Sequence, residues 1–163
     1  MKYKILLFLL VSLNCFAQNN SFPSDKVDEI IKRIQLPTIP SYKIVVTKLG
    51  AKGDSISNAK PAFDKAMALC KKNNGGTIIV PKGIYTLNGP IHFVSNVKLH
   101  LEDGAKIRFG SKPKDYPLVL TSWEGTMLYN YSPMIYANNV ENIAITGNGI
   151  IDGEAKNTWI QWK

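Results

Sequence analysis

Two histidines in this sequence could ligate a metal, and one glycine-rich turn could bind a phosphate. His92 and His100 fit no metal-ligand spacing, and we expect each to point outward from a strand. The turn at residues 50–54, GAKGD, fits neither the P-loop nor the dinucleotide-binding fingerprint. The sequence therefore predicts no metal site and no cofactor.

A second group of candidate residues lies in an irregular stretch, residues 111–133. This stretch holds prolines, a glycine and several aromatic residues, and it predicts a long loop that projects from the body of the domain. Ordered loops on a rigid scaffold commonly carry binding groups. Trp123, Glu124 and Tyr131 are therefore candidate substrate-binding residues, because aromatic rings can stack on sugar rings. The alternative is that the aromatic side chains pack the loop onto the body.

Short strands separated by glycine and proline surround this stretch. Such short runs, without an Asn-Gly or Asp-Gly turn between long alternating strands, favour a solenoid over antiparallel hairpins or a β-sandwich. The strand candidates that follow residue 76 are residues 77–80, 84–87, 91–94, 97–101 and 106–109.

An imperfect internal repeat supports the solenoid. Residues 95–110, SNVKLHLEDGAKIRFG, are echoed by residues 138–153, NNVENIAITGNGIIDG, so that Gly104 matches Gly147 at an offset of 43 residues. Glycine at such positions permits the positive φ of a tight corner. An offset of this size fits two coils of roughly 20 to 25 residues each.

One amphipathic helix is predicted before these strands. Apolar residues recur at helical spacing from Phe63 to Cys70, and Asn-Gly-Gly at residues 74–76 ends the pattern. Asn58 can cap the start of the helix, and Pro61 is tolerated in its first turn. Because the open end of a parallel solenoid needs a cover, we expect this helix to cap the N-terminal end of the core.

The first residues have the pattern of a secretory signal peptide. Lys2 and Lys4 precede the apolar run at residues 5–13, and small residues predict cleavage near Ala17. The run is too short to span a membrane. A lipoprotein acylated at Cys15 is the alternative. The protein is thus predicted to be secreted or periplasmic, with residues 1–17 as signal peptide, residues 18–41 as leader and residues 42–163 as the structured domain.

The composition is that of a globular domain with a basic charge balance. Lys and Arg number 20 against 12 Asp and Glu, which gives a formal net charge of +8. The cations are scattered, so the charge gives little support to a nucleic-acid partner. Cys70 is the only cysteine after the predicted cleavage, so we expect no internal disulfide and a stability that comes from packing.

Four stretches resemble the N-terminal part of glycoside hydrolase family 28, the polygalacturonase-like enzymes of the pectin-lyase superfamily. They are KLGAKGD at residues 48–54, NGGTIIVPKGIYTL at 74–87, TSWEGTMLYNYSPMIYA at 121–137 and NIAITGNGIIDG at 142–153. The succession of WEG, YNYSP and GNGIIDG is the most specific part. The resemblance implies an all-β, right-handed parallel β-helix with one N-terminal capping α-helix, truncated after the first few coils.

The resemblance also implies inverting hydrolysis of α-linked galacturonate in pectin, but it transfers no catalytic residue to this chain. In the family, the reaction uses aspartates of an Asn-Thr-Asp motif and an Asp-Asp pair, a Gly-His-Gly histidine and an Arg-Ile-Lys pair. None of these strings occurs here, so the catalytic residues are expected downstream of Lys163. Asp152 matches a structural position that helps to turn the coil, and Asp103 is interpreted as a turn residue.

The expected protein is therefore an inactive N-terminal fragment of an enzyme that is monomeric at full length. Its partner would be a pectic polysaccharide or oligogalacturonide, with no nucleic acid and no membrane span. Two alternatives remain open. One is a pectate-lyase-type β-eliminase, which would need Ca²⁺ held by clustered carboxylates, and the other is a non-catalytic polysaccharide-binding β-helix.

Overall fold

The computed structural model describes residues 24–158, which divide into two compact units at the peptide between Leu36 and Pro37. The first unit contains helix α1 (Ser24–Arg33), a helix beyond the single one that was predicted, on which Val27, Ile30 and Ile31 share one face at i, i+3 and i+4 spacing. The predicted signal peptide lies outside the described residues. In the described part, no helix has the length and apolarity that a membrane span requires.

The second unit consists mainly of short strands, together with two helices and two 3₁₀ turns. The helices are α2 (Lys60–Lys72) and α3 (Ala155–Thr158), and the 3₁₀ turns are Val46–Leu49 and Pro113–Asp115. The strands are β1 (Lys43–Val45), β2 (Asp54–Asn58), β3 (Gly76–Val80), β4 (Gly83–Leu87), β5 (Ile91–His92), β6 (Val97–Leu101), β7 (Ala105–Phe109), β8 (Leu118–Trp123), β9 (Thr126–Tyr131), β10 (Ile135–Tyr136), β11 (Ala144–Gly147) and β12 (Ile150–Asp152).

Three parallel sheets run along the unit, and the chain adds strands to them in turn. Their orders are β1-β3-β6-β11, β2-β4-β7-β12 and β5-β10. Gly76 pairs with Val97, 21 positions later, and Gly83 pairs with Ala105, 22 positions later, so one coil takes about the length expected of a solenoid repeat. The predicted right-handed parallel β-helix is confirmed.

The core lies between the sheets and is filled by alternate residues of each strand. Ile78 and Leu99 are adjacent across β3 and β6, Tyr85 and Ile107 are adjacent across β4 and β7, and all four side chains are buried. Alternation with a period of two places these residues inside and leaves polar neighbours such as Lys98 outside. The alternation of apolar and polar residues therefore determines which face of each sheet is turned toward the core.

Helix α2 covers the first coil, as the sequence predicts. It packs on the 3₁₀ turn at Val46–Leu49, on β3 and on β5. The ring of Phe63 meets that of Tyr85 edge to face, with the centroids 6.3 Å apart. The Asn58 side chain accepts a hydrogen bond from the backbone N–H of Lys60 at 3.1 Å. The buried residues of the helix are Ala62, Phe63, Ala66, Met67 and Cys70.

The internal repeat corresponds to one coil, and the predicted pair of coils is wrong. Ile145 on β11 pairs with Leu99 on β6, 46 positions earlier, and no strand lies between them in the sheet. Gly147 pairs with Leu101, so the glycines that match in the sequence do not face each other. The additional length is taken up by β8 and β9, which lie between β7 and β10.

The stretch predicted as a long loop is a β-hairpin. β8 and β9 pair antiparallel, and Glu124 and Gly125 connect them with φ values of +48° and +83°. Two successive positive φ values define the type I′ turn whose twist matches that of a hairpin. The hairpin is closed at its base, where the N–H of Ser132 donates to the carbonyl of Pro117 at 2.8 Å.

A stack of asparagines joins the turns that precede β3, β6 and β11. Asn74, Asn96 and Asn142 have φ values of +57°, +63° and +52°, in the left-handed region that asparagine tolerates better than most residues. The side-chain amide of Asn142 donates to Asn96 Oδ1 at 3.0 Å, and that of Asn96 donates to the Asn74 carbonyl at 3.3 Å. The stack therefore helps to hold successive coils in register.

Candidate functional site

The structure places the predicted binding residues at two ends of the hairpin. Trp123 pairs with Thr126 beside the turn, and Tyr131 pairs with Leu118 at the base. Five residue steps along β9 separate the two pairs, which corresponds to about 17 Å at the strand rise of about 3.4 Å per residue. An odd number of steps also places the two pairs on opposite faces. Trp123 and Tyr131 therefore cannot contact the same sugar ring.

The hairpin face that carries Tyr131 is apolar and exposed. Cross-strand partners share a face, so Tyr129 and Leu120 lie beside Tyr131 and Leu118, with Met127 nearer the turn. Tyr129 is 71% exposed and Tyr131 is 46% exposed. The alternative, that the aromatic residues pack the stretch onto the body, therefore does not hold for these two tyrosines.

Packing onto the body does hold for Tyr116, which precedes the hairpin. It is only 4% exposed, and its hydroxyl donates to the carbonyl of Gly110 at 2.6 Å. Burial raises its pKa to about 12, so the phenol stays protonated. On the other side of the hairpin, the Tyr136 hydroxyl donates to the Leu120 carbonyl at 2.8 Å. Tyr116 and Tyr136 thus anchor the insertion, and the tip with Trp123 and Glu124 stays exposed.

An open cleft of about 280 Å³ lies in the described part of the β-helix and was not predicted from the sequence. Its walls come from the first turns of α2, the β4–β5 connection, β5 and the segment that leads into β8. The lining residues are Lys60, Asp64, Asn88, Pro90, His92, Asp115 and Pro117. No local pattern links residues from four separate segments, and His92 was the only one of them that the sequence analysis considered.

His92 connects this cleft to the base of the hairpin. Its Nε2 lies 2.9 Å from Ser132 Oγ, and the Ser132 hydroxyl donates to the carbonyl of Pro133 at 3.0 Å. Because a hydroxyl has one hydrogen to donate, this network assigns the imidazole proton to Nε2, which donates to Ser132. The His92 ring also lies against the Tyr136 ring, with centroids 5.0 Å apart.

The His92 imidazole is neutral at neutral pH. Partial burial lowers its pKa, and the nearby Lys60 ammonium lowers it further, while Asp64 acts in the opposite direction. Lys60 Nζ lies 2.5 Å from Asp64 Oδ1 in an i, i+4 pair on α2. The ammonium is therefore already paired with a carboxylate of the same cleft.

Asp152 and Asp103, the turn carboxylates of the sequence analysis, lie outside the cleft. The Asp152 carboxylate is 2.5 Å from Lys106 Nζ and accepts the backbone N–H of Glu154 at 2.9 Å. Both contacts lower its pKa, so it stays ionised and is a poor proton donor. Asp103 Oδ1 accepts a hydrogen bond from the Asn148 side chain at 2.9 Å. Both geometries agree with a structural role at the turns.

Residues that could ligate a metal do not cluster in residues 24–158. No group of three or more His, Cys, Asp or Glu side chains there is arranged to hold an ion.

Comparisons with known proteins agree with the β-helix fold and also indicate the protein family. A family model described as rhamnogalacturonase A/epimerase, pectate lyase-like, matches residues 44–104. Endo-xylogalacturonan hydrolase A of Aspergillus tubingensis is 32% identical over 113 residues, which cover 67% of this chain and 24% of the relative. The exopolygalacturonase of Thermotoga maritima superposes with a TM-score of 0.79 at 40% identity, over 86% of this chain and 31% of that one. The chain belongs to the polygalacturonase-like proteins of glycoside hydrolase family 28.

A second solved structure supports the assignment of this polygalacturonase-like chain to family 28. The family 28 exopolygalacturonase of Yersinia enterocolitica has a TM-score of 0.63 at 27% identity, over 70% of this chain and 21% of that one. The chain spans about a quarter of the length of the curated relatives it matches, from 19% to 27%.

Proposed function

We propose that this chain is part of a glycosidase that hydrolyses α-linked galacturonate in pectic polysaccharides with inversion. The observation that carries the proposal is the similarity to the exopolygalacturonase of Thermotoga maritima, 40% identity with a TM-score of 0.79 over 86% of the chain. The Aspergillus and Yersinia proteins, which are named for hydrolysis of galacturonans, support the same substrate class.

We infer that the catalytic carboxylates lie outside these 163 residues. An inverting glycosidase needs an acid and a base, roughly 6.5 to 9.5 Å apart, on opposite sides of the scissile bond. Asp152 is paired with Lys106 and has a lowered pKa, which makes it a poor proton donor, and Asp64 is paired with Lys60. The Asn-Thr-Asp and Asp-Asp strings are absent from the sequence. The 163-residue chain alone is therefore proposed to be inactive.

Trp123, Glu124 and Tyr131 are proposed substrate contacts. Because Trp123 and Tyr131 lie on opposite faces and about 17 Å apart along the hairpin, they would act on different units of a polymer. Glu124 stands with Trp123 at the turn, where its carboxylate could accept hydrogen bonds from sugar hydroxyls.

The protein is further proposed to be exported and to act as a monomer at full length. The pattern of Lys2, Lys4 and the apolar run at residues 5–13 supports export. Immunoblotting of cell fractions for the protein with and without residues 1–17 tests this point. Retention of both forms in the cytoplasm would contradict it.

The activity is tested with the protein encoded by the complete reading frame. We expect it to release reducing ends from polygalacturonate in the presence of a chelator, without the ultraviolet absorbance of unsaturated products. NMR of the first product should show an inverted anomeric configuration. The 163-residue chain is the matched control and should release nothing.

Each other outcome points to a different function. Unsaturated product that disappears with chelator would indicate a β-eliminase, and binding without turnover would indicate a polysaccharide-binding β-helix. A reading frame without Asn-Thr-Asp and Asp-Asp strings in the couple of hundred residues after Lys163 would contradict the proposal before any assay.

A further inference from the structure

The open cleft beside β5 is lined by two prolines, a histidine, an asparagine and three charged residues. We propose that this cleft binds a single neutral pyranose and discriminates against a uronate. The inference deepens the proposed function and rests on it in one respect: the neutral ring would be a branch sugar of a galacturonan substrate.

The size and floor of the cleft suit one sugar ring. Its volume of about 280 Å³ is close to the lower limit of about 300 Å³ for small-molecule sites, so it has no room for a macromolecular segment. Pro90, Pro117 and the His92 ring supply flat apolar surface. The C–H face of a pyranose can pack against such surface, as it does against aromatic rings.

The polar lining suits the hydroxyl groups of that ring. The Asn88 side chain offers both donors and an acceptor, and the carboxylates of Asp64 and Asp115 accept hydrogen bonds from hydroxyl groups. Hydrogen bonds to a charged acceptor are shorter and stronger than those between neutral groups. The lining therefore combines hydrogen-bond donors and acceptors with apolar residues, as a polyhydroxylated ligand requires.

The balance of charge disfavours an anionic sugar. Lys60 is the only Lys or Arg among the lining residues, and its ammonium is held at 2.5 Å by Asp64. His92 is neutral at neutral pH because burial and Lys60 lower its pKa. The carboxylate of Asp115 then leaves the cleft with a net charge of −1. Repulsion between two like charges about 4 Å apart in water weakens binding by about fivefold.

A matched pair of ligands tests the proposal. Methyl α-galactopyranoside and methyl α-galactopyranosiduronate differ only at C6, which is a hydroxymethyl carbon in the first and a carboxylate carbon in the second. Each is titrated at low salt into the full-length protein labelled with ¹³C-histidine. The imidazole signals of His92 report on this cleft and on the base of the hairpin, and Asp115→Asn, which changes the cleft, distinguishes the two. The signals are assigned by their loss in His92→Gln. We expect the galactoside to shift them with an affinity about fivefold higher than that of the uronate.

Two variants separate the local charge from the net charge of the protein. Asp115→Asn should bring the two affinities close to equality, because it removes the unbalanced carboxylate. Glu102→Gln, an exposed carboxylate that does not line the cleft, should leave the ratio unchanged. Equal or tighter uronate binding by the unmodified protein, or no shift of the His92 signals with either sugar, would overturn the proposal.

This readout is independent of hydrolysis. A protein that fails to release reducing ends but shows the expected shifts would refute the proposed activity and retain the sugar site. An active hydrolase whose His92 signals do not respond would refute the site alone.

Discussion

His92 shows how one side chain can couple the hairpin to the body of the β-helix. Its Nε2–H donates to Ser132 at the base of the hairpin, and its ring lies between the cleft and Tyr136. The charge state of this imidazole therefore affects both the attachment of the hairpin and the electrostatics of the cleft.

The pH dependence of His92 is the first testable consequence. Because the folded state lowers its pKa below the ordinary 6.5, its contribution to stability is complete above that pH and is lost as pH falls toward the folded pKa. We expect an NMR titration midpoint below 6.5 and a rise of that midpoint in Lys60→Gln, where a repelling cation is gone. A midpoint at or above 6.5 in the unmodified protein would contradict the described environment.

Asn96 in the asparagine stack carries a second prediction. Asn96→Ala loses the hydrogen bond from Asn142 and the one to the Asn74 carbonyl, and it places alanine, which has no polar side chain, at φ +63°. The lost bonds cost about 1 kcal/mol and the left-handed conformation about 1–2 kcal/mol, so we expect the free energy of unfolding to fall by about 2–3 kcal/mol. Urea denaturation measures it.

Asn96→Gly is the matched control for this position. Glycine adopts the positive φ without strain, so only the side-chain contacts are lost and the decrease should be smaller than for alanine by about 1 kcal/mol. Equal losses for the two variants would show that the backbone conformation does not matter at this turn.

At the scale of elements, α2 stabilises the first coil through one large contact. Phe63 is buried and meets Tyr85 edge to face, so Phe63→Ala leaves a cavity between the helix and β4. We expect the free energy of unfolding to fall by about 3–5 kcal/mol, and by less than about 1.5 kcal/mol for Phe63→Leu. Denaturant titration followed by circular dichroism gives both values. A loss below 1 kcal/mol for the alanine variant would mean that the helix is not part of the core.

At the scale of the whole molecule, the spacing of the coils depends on glycines at points of close approach. A Cβ on Gly147 would lie 1.8 Å from the carbonyl oxygen of Leu101, whereas a Cβ on Gly125 would meet nothing within 4 Å. Both glycines have positive φ, at +97° and +83°. The pair therefore separates the cost of the backbone conformation from the cost of a clash between coils.

We expect Gly125→Ala to lower the free energy of unfolding by about 1–2 kcal/mol, the cost of the left-handed conformation alone. Gly147→Ala should cost clearly more, about 4 kcal/mol or above, because the backbone of β11 must move away from β6. Thermal unfolding of both variants provides the comparison. Similar melting temperatures would show that the coils can separate at this point without loss.

The sequence predicts the parallel strands that line the core well, because each is specified by the alternation of apolar and polar residues within it. In β6 and β7 the alternation of apolar and polar residues places each end of the strand within one residue of the observed one. The polar strand β2 (Asp54–Asn58) was not predicted, because its residues DSISN carry little apolar alternation. It forms through backbone pairing with β4. Local patterns therefore identify the strands that line the core.

The parts that were missed depend on residues far apart or on an unusual turn. Glu124 replaces the asparagine or aspartate that commonly precedes glycine in a type I′ turn, so the hairpin had no typical signature. The stretch at residues 111–133 that contains the hairpin has 23 residues, close to the length of one coil, so a single enlarged coil resembled two. The cleft combines four segments, and only the folded chain brings Lys60, His92 and Asp115 together.

The order of strands in the sheets has a consequence for how the chain is made. In the orders β1-β3-β6-β11 and β2-β4-β7-β12, each strand adds to the outside of one formed earlier in synthesis, and none must enter between two existing neighbours. The polypeptide can therefore assemble rung by rung as it emerges, with the α2 cap and first coil serving as the template for later ones. Folding of the described strands can then begin before the later ones have been synthesised.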